Sequence, residues 1–251
     1  MKTFLLLLGF ALITVTAGAQ TDGELVQLAE RQESELNENG AFENFRRALH
    51  LNPSNFTALW KLSELCSRIG KRQPSTKQQQ EFYVYGKSYA QRAIQVAPAA
   101  ADGYYVLAVA MGRLALSQSG KQRVHSVKEI RANVEKALAL NPRHGRAWHV
   151  LGKWHYEVSN LGMFEKAALK VVYGGLPAAS LKESIAAYER AKLYEPNFAL
   201  NFLELAKAYH RNDQDDKAIE LLRILPAVPN KTLDDARIKT EGARLLKEWA
   251  E

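Results

Sequence analysis

One short phrase recurs four times and limits what this chain can become. It reads Ala48-Leu-His-Leu-Asn-Pro53, Ala93-Ile-Gln-Val-Ala-Pro98, Ala137-Leu-Ala-Leu-Asn-Pro142 and Ala191-Lys-Leu-Tyr-Glu-Pro196. Each copy has the form of a helix end, a stop and a restart. Proline cannot continue a helix, because it lacks the N–H and clashes with the preceding turn, yet it is tolerated at a turn or in a first helical turn. The alanine five residues earlier leaves room for a neighbouring helix to cross closely. Units of this kind stack as antiparallel helix pairs. A single pair cannot bury its own apolar face, so the array must fold as one stack.

The four prolines lie 45, 44 and 54 residues apart. Tetratricopeptide repeats have a period of about 34, so the excess predicts longer helices or insertions within repeats. With each proline taken as position 32, the other repeat positions fall into phase. Position 4 is Leu59, Tyr104, Trp148 and Phe202 in turn; position 7 is Leu62, Leu107, Leu151 and Leu205; position 8 is Ser63, Ala108, Gly152 and Ala206. Phe45 and Tyr188 both fall at position 24. A large apolar residue followed by a small one recurs wherever two helices must approach closely.

The remaining chain reads as helix throughout, near 22–36, 40–51, 54–70, 76–96, 99–117, 122–140, 144–158, 161–173, 179–194, 197–211, 214–225 and 231–249, with the last as a cap. No sustained apolar–polar alternation signals a strand. The expected fold is therefore all-α: a tetratricopeptide-like solenoid of about four and a half antiparallel helix pairs with one inserted helix, occupying residues 20–251. Met1-Lys2-Thr3, the apolar run from Phe4 to Val15 and Ala17-Gly18-Ala19 have the layout of a signal peptide, residues 1–19, cut before Gln20. The run is too short to span a bilayer. The expected address is exported: periplasmic or secreted. Cys66 is the only cysteine, which excludes a disulfide framework, and it sits on an apolar helical stripe that predicts a buried inert thiol.

A longer run carries a family resemblance. It comprises Gly112-Arg-Leu-Ala115, Val134-Glu-Lys-Ala-Leu-Ala-Leu-Asn-Pro142, His149-Val-Leu-Gly-Lys-Trp-His-Tyr-Glu-Val158, Leu161-Gly-Met-Phe-Glu-Lys166, Tyr173-Gly-Gly-Leu-Pro-Ala178 and Ser184-Ile-Ala-Ala-Tyr-Glu-Arg-Ala191. This resembles the regulator of microtubule dynamics family, which has eukaryotic and bacterial members, over roughly residues 85–249. The resemblance implies a noncatalytic helical scaffold. Some eukaryotic members associate with microtubules, and one is an organelle-contact tether whose repeat domain binds phospholipid. The export signal fits a bacterial, exported member, whose role must be argued from its own site.

By similarity to tetratricopeptide arrays, positions 2, 5, 9 and 12 of each repeat face a concave ligand groove. Trp60, Tyr105, His149 and Tyr156 would give it an aromatic lining, and Arg146, Lys153 and Lys207 its charge. A clamp on a partner's C-terminal carboxylate is not expected, since its asparagines are missing and Glu64 would repel the ligand. Residues 61–153 hold 16 basic and 5 acidic residues, while 20–50 hold 3 and 7. That imbalance suits a solvated surface or an acidic partner. Nucleic acid is not expected, because the basic residues form no compact motif.

The apolar residues Leu161, Phe164, Leu169, Val172 and Tyr173 recur at helical spacing in the inserted segment. They predict a helix packed on the repeat core, or the lid of an apolar cavity, ended abruptly by Gly174-Gly175. No catalytic, cofactor or metal motif appears: there is no nucleophile elbow, P-loop or His-Glu-x-x-His. The Asp213–Asp216 cluster reads as a helix cap. Two functions remain: a scaffold that binds a protein partner in its groove, or a carrier of anionic phospholipid.

Overall fold

The structure, a computed structural model, describes residues 20–250. The signal-peptide reading falls on residues 1–19, outside them. Five antiparallel pairs form the array: α1 (Asp22–Ser34) with α2 (Glu38–Leu51), α3 (Phe56–Lys71) with α4 (Thr76–Val96), α5 (Ala101–Ala115) with α6 (Gly120–Leu140), α7 (Gly145–Ser159) with α9 (Leu181–Tyr194), and α10 (Ala199–Arg211) with α11 (Asp215–Ile224). A 3-10 turn, Leu225–Ala227, leads to the capping helix α12 (Asp235–Trp249). The inserted helix is α8 (Met163–Tyr173). No strand occurs among the described residues.

The recurrent phrase builds one turn four times over. The residue before each proline is driven out of the helical region, at φ near −135 to −139° for Asn52, Ala97, Asn141 and Glu195. Its N–H still donates to the alanine carbonyl of the phrase, at 2.8 Å to Ala48, 2.9 Å to Ala93, and 2.8 Å to both Ala137 and Ala191. The N–H three residues on then closes the turn, as from Asn55 to the Asn52 carbonyl at 3.0 Å. All four alanines are fully buried. The spacing excess also has a physical source: α4 and α6 each run 21 residues, and the 54-residue interval holds α8.

Small residues at position 8 set how closely the helices approach. A Cβ on Gly152 would lie 2.7 Å from the Tyr188 ring, which is itself fully buried. Phe45, Leu59, Leu62 and Leu65 fill the first core cluster, and Val106, Val134 and Trp154 belong to the second. Cys66 is buried, and burial pushes its thiol up to about 12, as suits an inert side chain.

Three local expectations are corrected. The capping helix begins at Asp235 rather than near 231, because the Asp235 carboxylate accepts N–H groups from Lys231 and Thr232 at 2.7 and 2.8 Å and holds them in a turn. In the acidic cluster, Gln214 occupies the N-cap and no side chain caps the helix. Asp215 instead pairs with His210 Nδ1 at 2.6 Å. Finally, α8 lies only loosely against the array: it touches α6, and none of its residues is fully buried. Its C-terminal stop is as expected, with Gly174 and Gly175 at φ +70 and +76° and their N–H groups returning to Lys170 and Leu169.

Candidate functional site

The inner faces of α1, α3, α5 and α7, together with the α9–α10 turn, enclose a groove of about 660 Å³. Trp60, Tyr105 and Arg146 line it, with Glu30, Glu33, Glu64, Arg68, Asp102, His144, Glu195 and Asn197. The remaining expected groove residues lie elsewhere. His149 is buried against Tyr188 and Phe198, at ring-centre distances of 5.3 and 4.8 Å. Its Nδ1 meets Asn201 Oδ1 at 3.0 Å, and Asn201 Nδ2 donates to the Tyr188 carbonyl at 2.9 Å. That second bond fixes Oδ1 as an acceptor, so His149 carries its proton on Nδ1. Lys153 and Lys207 sit further along the array, and Lys153 and Arg211 both approach the Tyr156 ring, at 5.4 and 4.9 Å from its centre.

The expected cations are not free. Arg146 Nη1 donates to Glu64 at 2.5 Å, and its Nε donates to Glu195 at 2.8 Å. Lys153 meets Glu157 and Glu204, each at 2.8 Å, and Lys207 lies 3.7 Å from Glu204 and 3.6 Å from Glu241. Glu33 of α1 takes Lys61 of α3 at 2.9 Å and also Arg68, while Glu38 of α2 takes Arg72. The inner wall is therefore a ladder of ion pairs rather than a strip of unbalanced positive charge. Burial pushes the Glu64 carboxyl upward, but Arg146, Arg68 and Lys61 hold it well below the usual carboxylate range. The Tyr105 hydroxyl donates to it at 3.0 Å, and burial beside that carboxylate raises the phenol well above its ordinary value.

The residues from α1 and from the α9–α10 turn escape a position-based reading, because they stand at none of the four inward positions. The signal that could have found Glu195 is its place before Pro196, at a helix end.

The expected apolar cavity is only partly assembled. Leu161 and Leu169 line a hollow of about 430 Å³ with Lys166, Lys170 and residues 174–179. Phe164 and Val172 face solvent at 88 and 63% exposure, outside it. Tyr173 is half-buried, and its carbonyl accepts Lys128 Nζ at 3.2 Å. Among the described residues no cluster of three or more His, Cys, Asp or Glu could hold a metal ion, and no helix is long and apolar enough to cross a membrane.

Residues 24–250 match the family described as Regulator of microtubule dynamics protein 1-3. The chain belongs to this family. It is 26% identical over 195 residues to regulator of microtubule dynamics protein 1 of Bos taurus, covering 77% of this chain and 62% of that protein. It is 27% identical over 194 residues to protein 3 of Xenopus laevis, covering 77% and 42%. The chain thus spans less than two thirds of these relatives. Among solved structures it resembles a thermophilic TPR protein of Thermus thermophilus, with a TM-score of 0.64 at 16% identity, covering 89% of this chain and all of that one. It also resembles yeast Tom70, with a TM-score of 0.55 at 13% identity, covering 92% of this chain and 40% of that one. These likenesses show the tetratricopeptide-like fold.

In this member of the regulator of microtubule dynamics family the two ends of the array meet. Arg72, just past the end of α3, reaches Asp234, at the start of α12, at 3.3 Å. The contact joins residues 162 positions apart. It sets the first repeats beside the cap, and Lys231, just before α12, lines the same groove as Glu30.

Proposed function

We propose that this chain is a noncatalytic scaffold that holds a segment of a partner protein in the concave groove. The observation that carries this reading is the groove itself, about 660 Å³ framed by Trp60, Arg146 and a ladder of ion pairs. That volume falls within the range of ligand sites. A lining of paired charges offers a peptide donors and acceptors for its backbone and side chains, whereas an acyl chain would leave those charges poorly solvated. The alternative, a carrier of anionic phospholipid, requires an enclosed apolar cavity, and the outward placement of Phe164 and Val172 weighs against it. The export signal supports a periplasmic or secreted location, which N-terminal sequencing of the native protein would test by finding Gln20 first.

Native mass spectrometry of the chain purified from its own cells tests the function. We expect a complex with a second protein that Trp60→Ala removes. A phospholipid held at near-stoichiometric level, with no protein partner, would overturn the scaffold reading in favour of the carrier.

A further inference from the structure

The inserted helix α8 turns its apolar side away from the protein. With about 3.6 residues per turn, Met163, Phe164, Ala167, Ala168, Val171 and Val172 share one half of its circumference, and Leu169 and Tyr173 fall on the other. Leu169 and Tyr173 are half-buried, whereas Met163, Phe164 and Val171 are 79, 88 and 86% exposed. A surface helix ordinarily buries its apolar stripe. The segment is nonetheless fastened to α6: Lys128 Nζ donates to the Tyr173 carbonyl at 3.2 Å, and Arg131 Nη1 to the Ala178 carbonyl at 2.9 Å. The Tyr173 hydroxyl lies 3.3 Å from where a Cβ on Gly120, the first residue of α6, would stand. The exposed Lys121 and Arg123 follow directly at that end, and Lys166 and Lys170 are on α8 itself. Residues 119–131 and 163–173 together hold six basic and two acidic residues, the latter being Glu129 and Glu165.

We infer that the outward face of α8, with this basic rim, docks the chain on an anionic lipid surface, the helix lying along the headgroup boundary. The face is a convex ridge of protruding side chains, which a fluid bilayer accommodates without a matching shape. Apolar side chains enter the acyl boundary, while the lysines and arginines around them meet anionic headgroups. A second copy of the chain would set like charge against like. An 11-residue helix also falls short of the roughly 800 Å² per partner of a stable protein interface. The docking does not depend on the groove. It differs from a lipid carrier, because no lipid leaves the bilayer.

Flotation of the mature chain with protein-free vesicles tests this. The chain should float with equimolar phosphatidylglycerol and phosphatidylcholine, stay behind with phosphatidylcholine alone, and come off as salt rises. Phe164→Ser should weaken binding roughly tenfold with the circular dichroism unchanged, since that side chain faces solvent. Lys121→Gln and Lys170→Gln should each weaken it roughly fivefold. Tyr85→Ser, on the exposed outer face of α4, should change nothing. A second measurement reads the helix itself. Phe164→Cys gives a single accessible thiol, because Cys66 is buried. An environment-sensitive fluorophore there should shift to the blue on adding the anionic vesicles, and one at Tyr85→Cys should not. No flotation, equal flotation with both vesicle types, binding that survives Phe164→Ser, or matching shifts at both labelled positions would overturn the docking. The groove reading would then still stand, because its own test is capture of a protein at Trp60.

Discussion

Arg146 of α7 lays its guanidinium on the Glu64 carboxylate of α3 at 2.5 Å, across 82 positions of sequence. With Glu195 at the end of α9 also at 2.8 Å, it joins two helix pairs, α3–α4 and α7–α9, at the wall of the groove. Glu64 is buried, so its charge depends on this partner. Arg146→Met should cost about 3 kcal/mol, the lower end for breaking a buried pair, because Arg68 and Lys61 still face Glu64. Adding Glu64→Gln should recover most of the loss. Urea unfolding of the two single variants and the double variant measures both quantities.

His149 makes stability depend on pH. Burial lowers its imidazole to about 4, while its bond to Asn201 opposes the shift only partly. An unfolded histidine takes its proton near 6.5. Between those values the unfolded chain binds more protons, so the contribution is full above about 6.5 and is lost as pH falls toward 4. Its size is on the order of 3 kcal/mol. Burial, with Arg131, lowers His155 in the same direction. Urea midpoints measured from pH 7.5 down to 4.5 should fall steadily, and His149→Gln should flatten that slope.

Two glycines should respond in opposite ways. Gly152→Ala drives a methyl into the fully buried Tyr188 ring and should cost about 1–3 kcal/mol. Gly112→Ala meets nothing within 4 Å. It lies inside a helix and should gain about 0.5–1 kcal/mol. Thermal melts of the pair provide the check.

The fold was legible because the proline phrase encodes a complete local device. Proline pushes the preceding residue out of the helix, and the alanine marks where the helices cross. Ala48, Ala93, Ala137 and Ala191 are fully buried as that logic requires. The groove was less legible because repeat position gives the direction of a side chain but not its partners. Trp60, Tyr105 and Arg146 arrive at the groove, whereas His149 is drawn into the core by Asn201 and Tyr188, residues that lie 52 and 39 positions away in sequence. The pairing of Arg146 with Glu64, of Lys153 with Glu204 and of Lys207 with Glu241 depends on how separate helix pairs and the cap stack, whereas Lys153–Glu157 and Lys207–Glu204 are one-helix pairs at i,i+4 and i,i+3 spacing. The apolar spacing of α8 marks it as a helix, but periodicity alone does not say whether an apolar face is covered.

The contact of Arg72 with Asp234 and Glu38 holds the cap beside the first repeats. Arg72→Gln should therefore speed hydrogen exchange in α12 more than in α7, which it does not touch. Equal exchange in both helices would show that α12 is held by its apolar contacts with α10 and α11 alone.

The central claim is that a protein segment occupies the concave groove, and site-specific photocrosslinking in the producing cell tests it most directly. A benzophenone amino acid replaces Trp60 or Asn197, both on the groove wall, or Tyr85, which is 61% exposed on the outer face of α4. The account predicts that one discrete protein adduct forms at both groove positions and not at Tyr85. No adduct from the groove, or the same adduct from Tyr85 alone, would contradict it.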